Sequence, residues 1–186
     1  MQHIAFLSIG SNLGDRSKNL LAAMDLIEKN EQIHIQAISN FYETEPLTLK
    51  AKAQTWYVNA GLKIKTSLSP VQLLRFLQSI EVALGRIRSE KWEPRLIDLD
   101  ILFFDDLIIK SNDLTLPHPE LTKRRFVLEP LCDIAADCIH PIKGLTIQSL
   151  AKSLKDHKKV VPLYRLQISR HNHALKKISP KRKPLK

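Results

Sequence analysis

Apolar residues crowd positions 3–9 and the run stops at Gly10, the profile of a central strand. Residues 10–15, Gly-Ser-Asn-Leu-Gly-Asp, read as a tight turn between strand and helix, and lack the spacing of a dinucleotide fingerprint or a P-loop. Leu20, Leu21, Met24 and Ile27 then recur at helical spacing, with Asp15 or Asn19 near the cap. From 33 to 39 apolar and polar residues alternate at period two, and this strand runs on towards Phe41 and Tyr42 until Pro46 ends it. A polar loop over 47–55 leads into a further strand over 56–64.

Ser69, Pro70 and Gln72 supply a capping serine, a proline at the first helical position and a glutamine at the third. Leu73, Leu77, Ile80 and Leu84 line one face of the helix they start, and Gly85 stops it. Residues 98–104 form a β-rich run, with Ile108 and Ile109 as a short hairpin partner. Two more helices are predicted over 126–134, with Pro130 near its start or in a kink, and over 146–154. The order βαββαβ followed by helices predicts an α+β, ferredoxin-like sandwich with helices on one face of an antiparallel sheet.

Charge changes this picture only after it is located. The 186 residues carry a formal +10, but residues 151–186 hold twelve Lys/Arg against Asp156 alone, leaving 1–150 at −1. The expected division is therefore a folded domain over 1–156 and a basic extension over 157–186, partly disordered, with 160–166 able to add a strand or helix. A nucleic-acid footprint would need aromatics among those basic residues, and Tyr164 is the sole one, so nucleic acid is not an expected partner. No apolar stretch reaches the roughly eighteen residues of a membrane span and the start lacks a basic leader, so a cytoplasmic protein is expected. Cys132 and Cys138 lack metal spacing and read as buried free thiols.

The densest chemistry lies in 86–100, Arg-Ile-Arg-Ser-Glu-Lys-Trp-Glu-Pro-Arg-Leu-Ile-Asp-Leu-Asp. On a strand, Asp98 and Asp100 share one face about 7 Å apart, a hard-oxygen pair suited to Mg²⁺. Arg86, Arg88 and Arg95 match the phosphate such an ion would bring. Left without a ligand, the same aspartates would be solvated or paired to those arginines. His118 sits between Pro117 and Pro119, ahead of Arg124, Arg125 and Phe126. Cations at a helix start oppose its dipole, a misfit that an anion would resolve. Thr44, Glu45, Pro46 and Leu47, together with Trp56, Tyr57 and Asn59, offer rings and an amide for a flat heterocycle.

These segments resemble, in order, the motifs of the 6-hydroxymethyl-7,8-dihydropterin pyrophosphokinase family. The similar stretches are 9–14, 42–47, 57–60, 81–86, 92–100 and 116–120, and the pattern W-x-P-R-x-x-D-x-D is the most specific of them. The resemblance covers about residues 3–155. It implies ATP as co-substrate, two Mg²⁺ ions, and transfer of pyrophosphate to a dihydropterin hydroxymethyl group in folate synthesis; a monomer is expected. It further implies that Asp98 and Asp100 hold the metal and act with Arg86 and Arg95 in catalysis. Thr44, Glu45, Pro46, Leu47, Tyr57, Asn59, Trp92 and Phe126 would bind the pterin. Gln78, Glu81, Arg88, Trp92, Ile101, His118 and Arg124 would bind ATP. A different Mg²⁺-dependent phosphoryl transferase with the same two aspartates would have no need of Tyr57, Asn59 and Phe126.

Overall fold

The computed structural model describes residues 1–46, 55–85, 95–168 and 175–178, the stretches after 164 as backbone alone. Strand β1 (His3–Ser11) lies in an antiparallel sheet of seven strands among the described residues, between β4 (Tyr57–Thr66) and the edge strand β5 (Asp98–Phe104). On the far side of β4 run β2 (Ile33–Ile38) and β3 (Asn40–Thr44), followed by β8 (Val160–Ile168) and β9 (Leu175–Ile178). A separate two-stranded ribbon pairs β6 (Ile109–Lys110) with β7 (Thr115–Leu116). The predicted hairpin at 108–109 therefore pairs with a later segment, not with β5.

The strand expected to run unbroken from 33 to 42 divides at Ser39. The Ser39 hydroxyl accepts from Gly61 N–H at 2.8 Å and donates to the Asn40 carbonyl at 2.6 Å, so a side chain enters the ladder. Ile38 pairs with Leu62 but Tyr42 with Asn59, which leaves one extra residue on the β2–β3 side, a bulge. Strand β1 also outruns its predicted end by passing through Gly10 to Ser11, and the turn proper holds Gly14 at φ +60°.

Among the described residues four α-helices cover the sheet, on two faces where one was predicted. Helices α1 (Arg16–Glu28) and α2 (Pro70–Ala83) bury Leu20, Met24, Ile27, Leu73 and Leu77 against Leu7, Ile9, Leu62 and Ile64. Helices α3 (Arg125–Ala135) and α4 (Ile147–Ser153) bury Leu128, Leu131 and Ile147 against Phe6, Leu102 and Phe103. Helical period identifies an apolar stripe but not the sheet face that receives it. The predicted caps are in place: Asp15 accepts from Lys18 N–H at 3.1 Å, and Ser69 and Gln72 close a reciprocal box of 3.4 and 2.8 Å. Pro130 is interior to α3 and buried. Cys132 and Cys138 are free, as expected, but half-buried.

Residues 160–168 extend the main sheet: Val160 pairs with Thr44 and Arg165 with Asn40. Leu175–Ile178 pairs with it as β9, while 169–174 and 179–186 lie outside the described residues.

Candidate functional site

Side-chain alternation sorts the strands into two faces. Leu99 and Ile101 point into the α1/α2 core, as do Val58 and Ala60, so Asp98, Asp100, Tyr57 and Asn59 face the α3 side. Register then sets Tyr42, Asn59, Gly10 and Asp98 in one row across four strands. Asn59 is 4% exposed, and its Nδ2 donates to Thr44 Oγ1 at 2.6 Å. A Cβ at residue 10 would overlap Asn59 Oδ1, which explains a glycine inside a strand. Gly10→Ala is expected to displace that amide and to destabilise the fold by about 1–3 kcal/mol. Thermal unfolding checks this, and an unchanged midpoint would contradict it.

The strand end carrying the aspartates is held from two sides. Asn12 donates its N–H to the Arg95 carbonyl at 3.1 Å, and its Oδ1 accepts from Arg95 N–H at 2.7 Å. Arg95 Nη1 in turn donates to Asp98 Oδ1 at 2.7 Å, so one predicted arginine is paired to one predicted aspartate. From α2, Glu81 is 4% exposed and its Oε1 accepts from Leu99 N–H, between the two aspartates, at 2.9 Å.

Burial first, and then the Asp98 charge, push the Asp100 carboxyl up to about 7; Glu81 adds to this, while Arg124 and Arg95 oppose it. A carboxylate so short of counter-charge is one that a divalent cation would suit. Among the described residues no three His, Cys, Asp or Glu side chains gather as a closed metal cage. Two carboxylates with open positions fit Mg²⁺, which keeps water and phosphate in its coordination shell.

Helix α3 starts beside Asp100. Arg124 acts on Asp100 and on His118, and its guanidinium lies 5.8 Å from the centre of the half-buried Phe126 ring. Burial, then Arg124, hold His118 below the usual histidine range, and its Nδ1 accepts from Glu120 N–H at 3.1 Å. Burial also raises the Tyr57 hydroxyl, with Arg95 and Asp98 as its charged neighbours. Asp98, Asp100, Glu81, Arg95, Arg124, His118 and Tyr57 thus share one electrostatic neighbourhood.

Other predicted residues fall differently. Thr44 is buried against Asn59, whereas Glu45 turns outward to Lys158 and Lys159. Pro46 follows as the last described residue before 47. Gln78 is exposed on α2. The side chain of Ile101 is packed in the opposite core, which leaves its backbone on this side. Leu47, Arg86, Arg88 and Trp92 lie outside the described residues. Two residues carry structural roles that the sequence pattern does not announce: Asn12, inside the 9–14 turn motif, and Asp156, distinguished only as the lone acid of 151–186.

A family model described as 7,8-dihydro-6-hydroxymethylpterin-pyrophosphokinase matches residues 6–136. A Haemophilus influenzae protein named 2-amino-4-hydroxy-6-hydroxymethyldihydropteridine pyrophosphokinase is 40% identical over 84% of this chain and 96% of its own length. The Folic acid synthesis protein fol1 of Pneumocystis carinii is 45% identical over 84% of this chain, which spans only 21% of that protein. A crystal structure of Plasmodium falciparum HPPK-DHPS, wild type with pteroate, superposes with a TM-score of 0.69 at 15% identity, covering 95% of this chain and 50% of that one. That likeness supports the α+β sandwich.

Proposed function

Because the chain belongs to the 7,8-dihydro-6-hydroxymethylpterin-pyrophosphokinase family, we propose that it transfers pyrophosphate from ATP to the hydroxymethyl group of 6-hydroxymethyl-7,8-dihydropterin, releasing AMP, in folate biosynthesis. The observation that carries this reading is the same-face carboxylate pair Asp98 and Asp100, with Asp98 in one row with the buried amide of Asn59. One end of the row suits metal and phosphate; the other suits the edge of a flat, hydrogen-bonding ring.

In the proposed reaction the hydroxymethyl oxygen bonds to the β-phosphorus while the bond from that phosphorus to the α,β-bridging oxygen breaks. The hydroxyl proton goes to solvent, and AMP leaves with the electron pair. Such a transfer is governed by positioning and charge neutralisation. Mg²⁺, two ions in this reading, would supply charge neutralisation and phosphate alignment when held by Asp98 and Asp100. Arg95 and Arg124 stay charged at any working pH and would steady phosphate oxygens. Neutral His118, with Nδ1 occupied, would offer its Nε2–H to ATP. Asn59, held by Thr44, would present Oδ1 to the pterin beside the rings of Tyr57 and Phe126. Arg86, Arg88, Trp92 and Leu47 complete the proposed set, with Glu45, Pro46, Gln78, Glu81 and Ile101 bordering it.

No helix among the described residues is long and apolar enough to cross a membrane. The proposed enzyme is a cytoplasmic monomer whose substrate-binding residues lie within 1–156, with β8 extending its sheet. A coupled assay for AMP with ATP and Mg²⁺ is expected to show release that depends on the dihydropterin. Release that ignores the pterin, or none at all, would overturn the proposal.

A further inference from the structure

Asp156 is the lone acid among the basic residues of 151–186, and its segment grips two separate elements. Its Oδ2 accepts from Arg125 N–H at 3.1 Å, its carbonyl accepts from Arg125 Nη1 at 3.4 Å, and its Oδ1 accepts from Lys158 N–H at 2.9 Å. Lys158 Nζ then lies 3.4 Å from Glu45 Oε1. Lys159 N–H donates to Glu45 Oε2 at 3.2 Å, and Glu45 N–H donates to the Lys159 carbonyl at 3.0 Å. These bonds lead directly into the β3–β8 ladder, which opens with Thr44 paired to Val160.

The two gripped residues frame the candidate site. Arg125 stands between Arg124 and Phe126 at the start of α3, and Glu45 between Thr44 and Pro46 at the end of β3. Helix α3 receives no side-chain cap from its own Arg124. Asp156 takes that role from 31 residues away, placing a carboxylate where the dipole favours one. It is an anion beside the basic first turn that looked misplaced in the sequence.

We propose that residues 156–159 form a brace fixing the spacing between the Phe126 and Thr44 walls of the site, with Asp156 and Lys158 as positioning residues that touch no substrate. The proposal rests on the functional reading above. A single exposed ion pair contributes little. Here the pair is joined to backbone bonds on both sides, and the walls it links need not be ordered anew when a ligand binds. The brace therefore acts on pterin affinity rather than on the transfer step.

The test is the full-length Asp156→Ala/Lys158→Ala double variant, assayed for pterin KM and kcat at saturating ATP and Mg²⁺ and followed by amide hydrogen exchange. Pterin KM is expected to rise about five- to tenfold, with kcat within about twofold. Exchange should quicken at the Glu45 and Arg125 amides but not in β1 or β4, and Lys158→Arg should restore the wild-type KM. An unchanged KM, or quicker exchange throughout the sheet, would overturn the brace as a positioning device. A wild-type chain without pterin-dependent AMP release would instead overturn the functional reading, and the brace would then stand or fall on exchange at Glu45 and Arg125.

Discussion

Asp98→Ala is expected to lower pyrophosphate transfer by about three orders of magnitude while the protein still folds. Asp98 sits half-buried at the start of an edge strand, with Arg95 as partner and the core residues Ile97 and Leu99 on either side. Its loss opens no cavity in either hydrophobic core. What it removes is half of the hard-oxygen pair, and metal-ion stabilisation of several kcal/mol corresponds to roughly this loss at 1.36 kcal/mol per decade. A folded Asp98→Ala protein with near-normal transfer would sink the metal assignment.

Asp100→Asn should separate stability from activity. The Asp100 carboxyl is pushed up to about 7 from 3.8, so folding disfavours its charged form. That penalty is absent below about pH 4, grows as pH rises through the range between those values, and is fully present above about 7. With Mg²⁺ chelated, Asn at 100 should therefore raise the unfolding midpoint at pH 8 and leave it nearly unchanged at pH 4, while transfer falls. The magnitude is of order 1–2 kcal/mol, because the side chain is not wholly removed from water. Equal midpoints at pH 8 would show that the aspartate is not strained by its neighbours.

The aspartate pair was legible in the sequence because its geometry is local: two residues apart on a strand is one face, whatever the strand packs on. The capping box at Ser69 was legible for the same reason. What escaped was set by contacts distant along the chain. The bulge at Ser39 depends on Gly61, 22 residues away, and the clamp of Asn12 on Arg95 spans 83. Nor does any periodicity tell that α3 and α4 cross the opposite face from α1 and α2. The charge of the C-terminal region misled in a similar way. Its excess is real, yet its structurally employed residues include the one acid that departs from it, and the first stretch of that region is a strand of the main sheet.

Glu81→Ala is expected to slow the transfer step strongly, because burial gives this carboxylate a task that the family resemblance did not. A carboxylate on a helix ordinarily faces water; this one is 4% exposed and accepts the Leu99 N–H between the two aspartates. Glu81→Ala leaves that buried N–H without its acceptor, at a cost of about 1–3 kcal/mol. It also frees β5 to shift at the point where Asp98 and Asp100 project. Since a displacement of about 1 Å can cost 10²-fold in rate, kcat should fall by about that factor, with ATP KM changed far less. Glu81→Gln keeps an oxygen for Leu99 N–H and removes one of the charges acting on Asp100. It should retain most of kcat and, with Mg²⁺ chelated, unfold no earlier than wild type. If Glu81→Gln instead raised ATP KM as strongly as Glu81→Ala while both unfolded normally, Glu81 would be a nucleotide contact and not the anchor of the metal-binding strand.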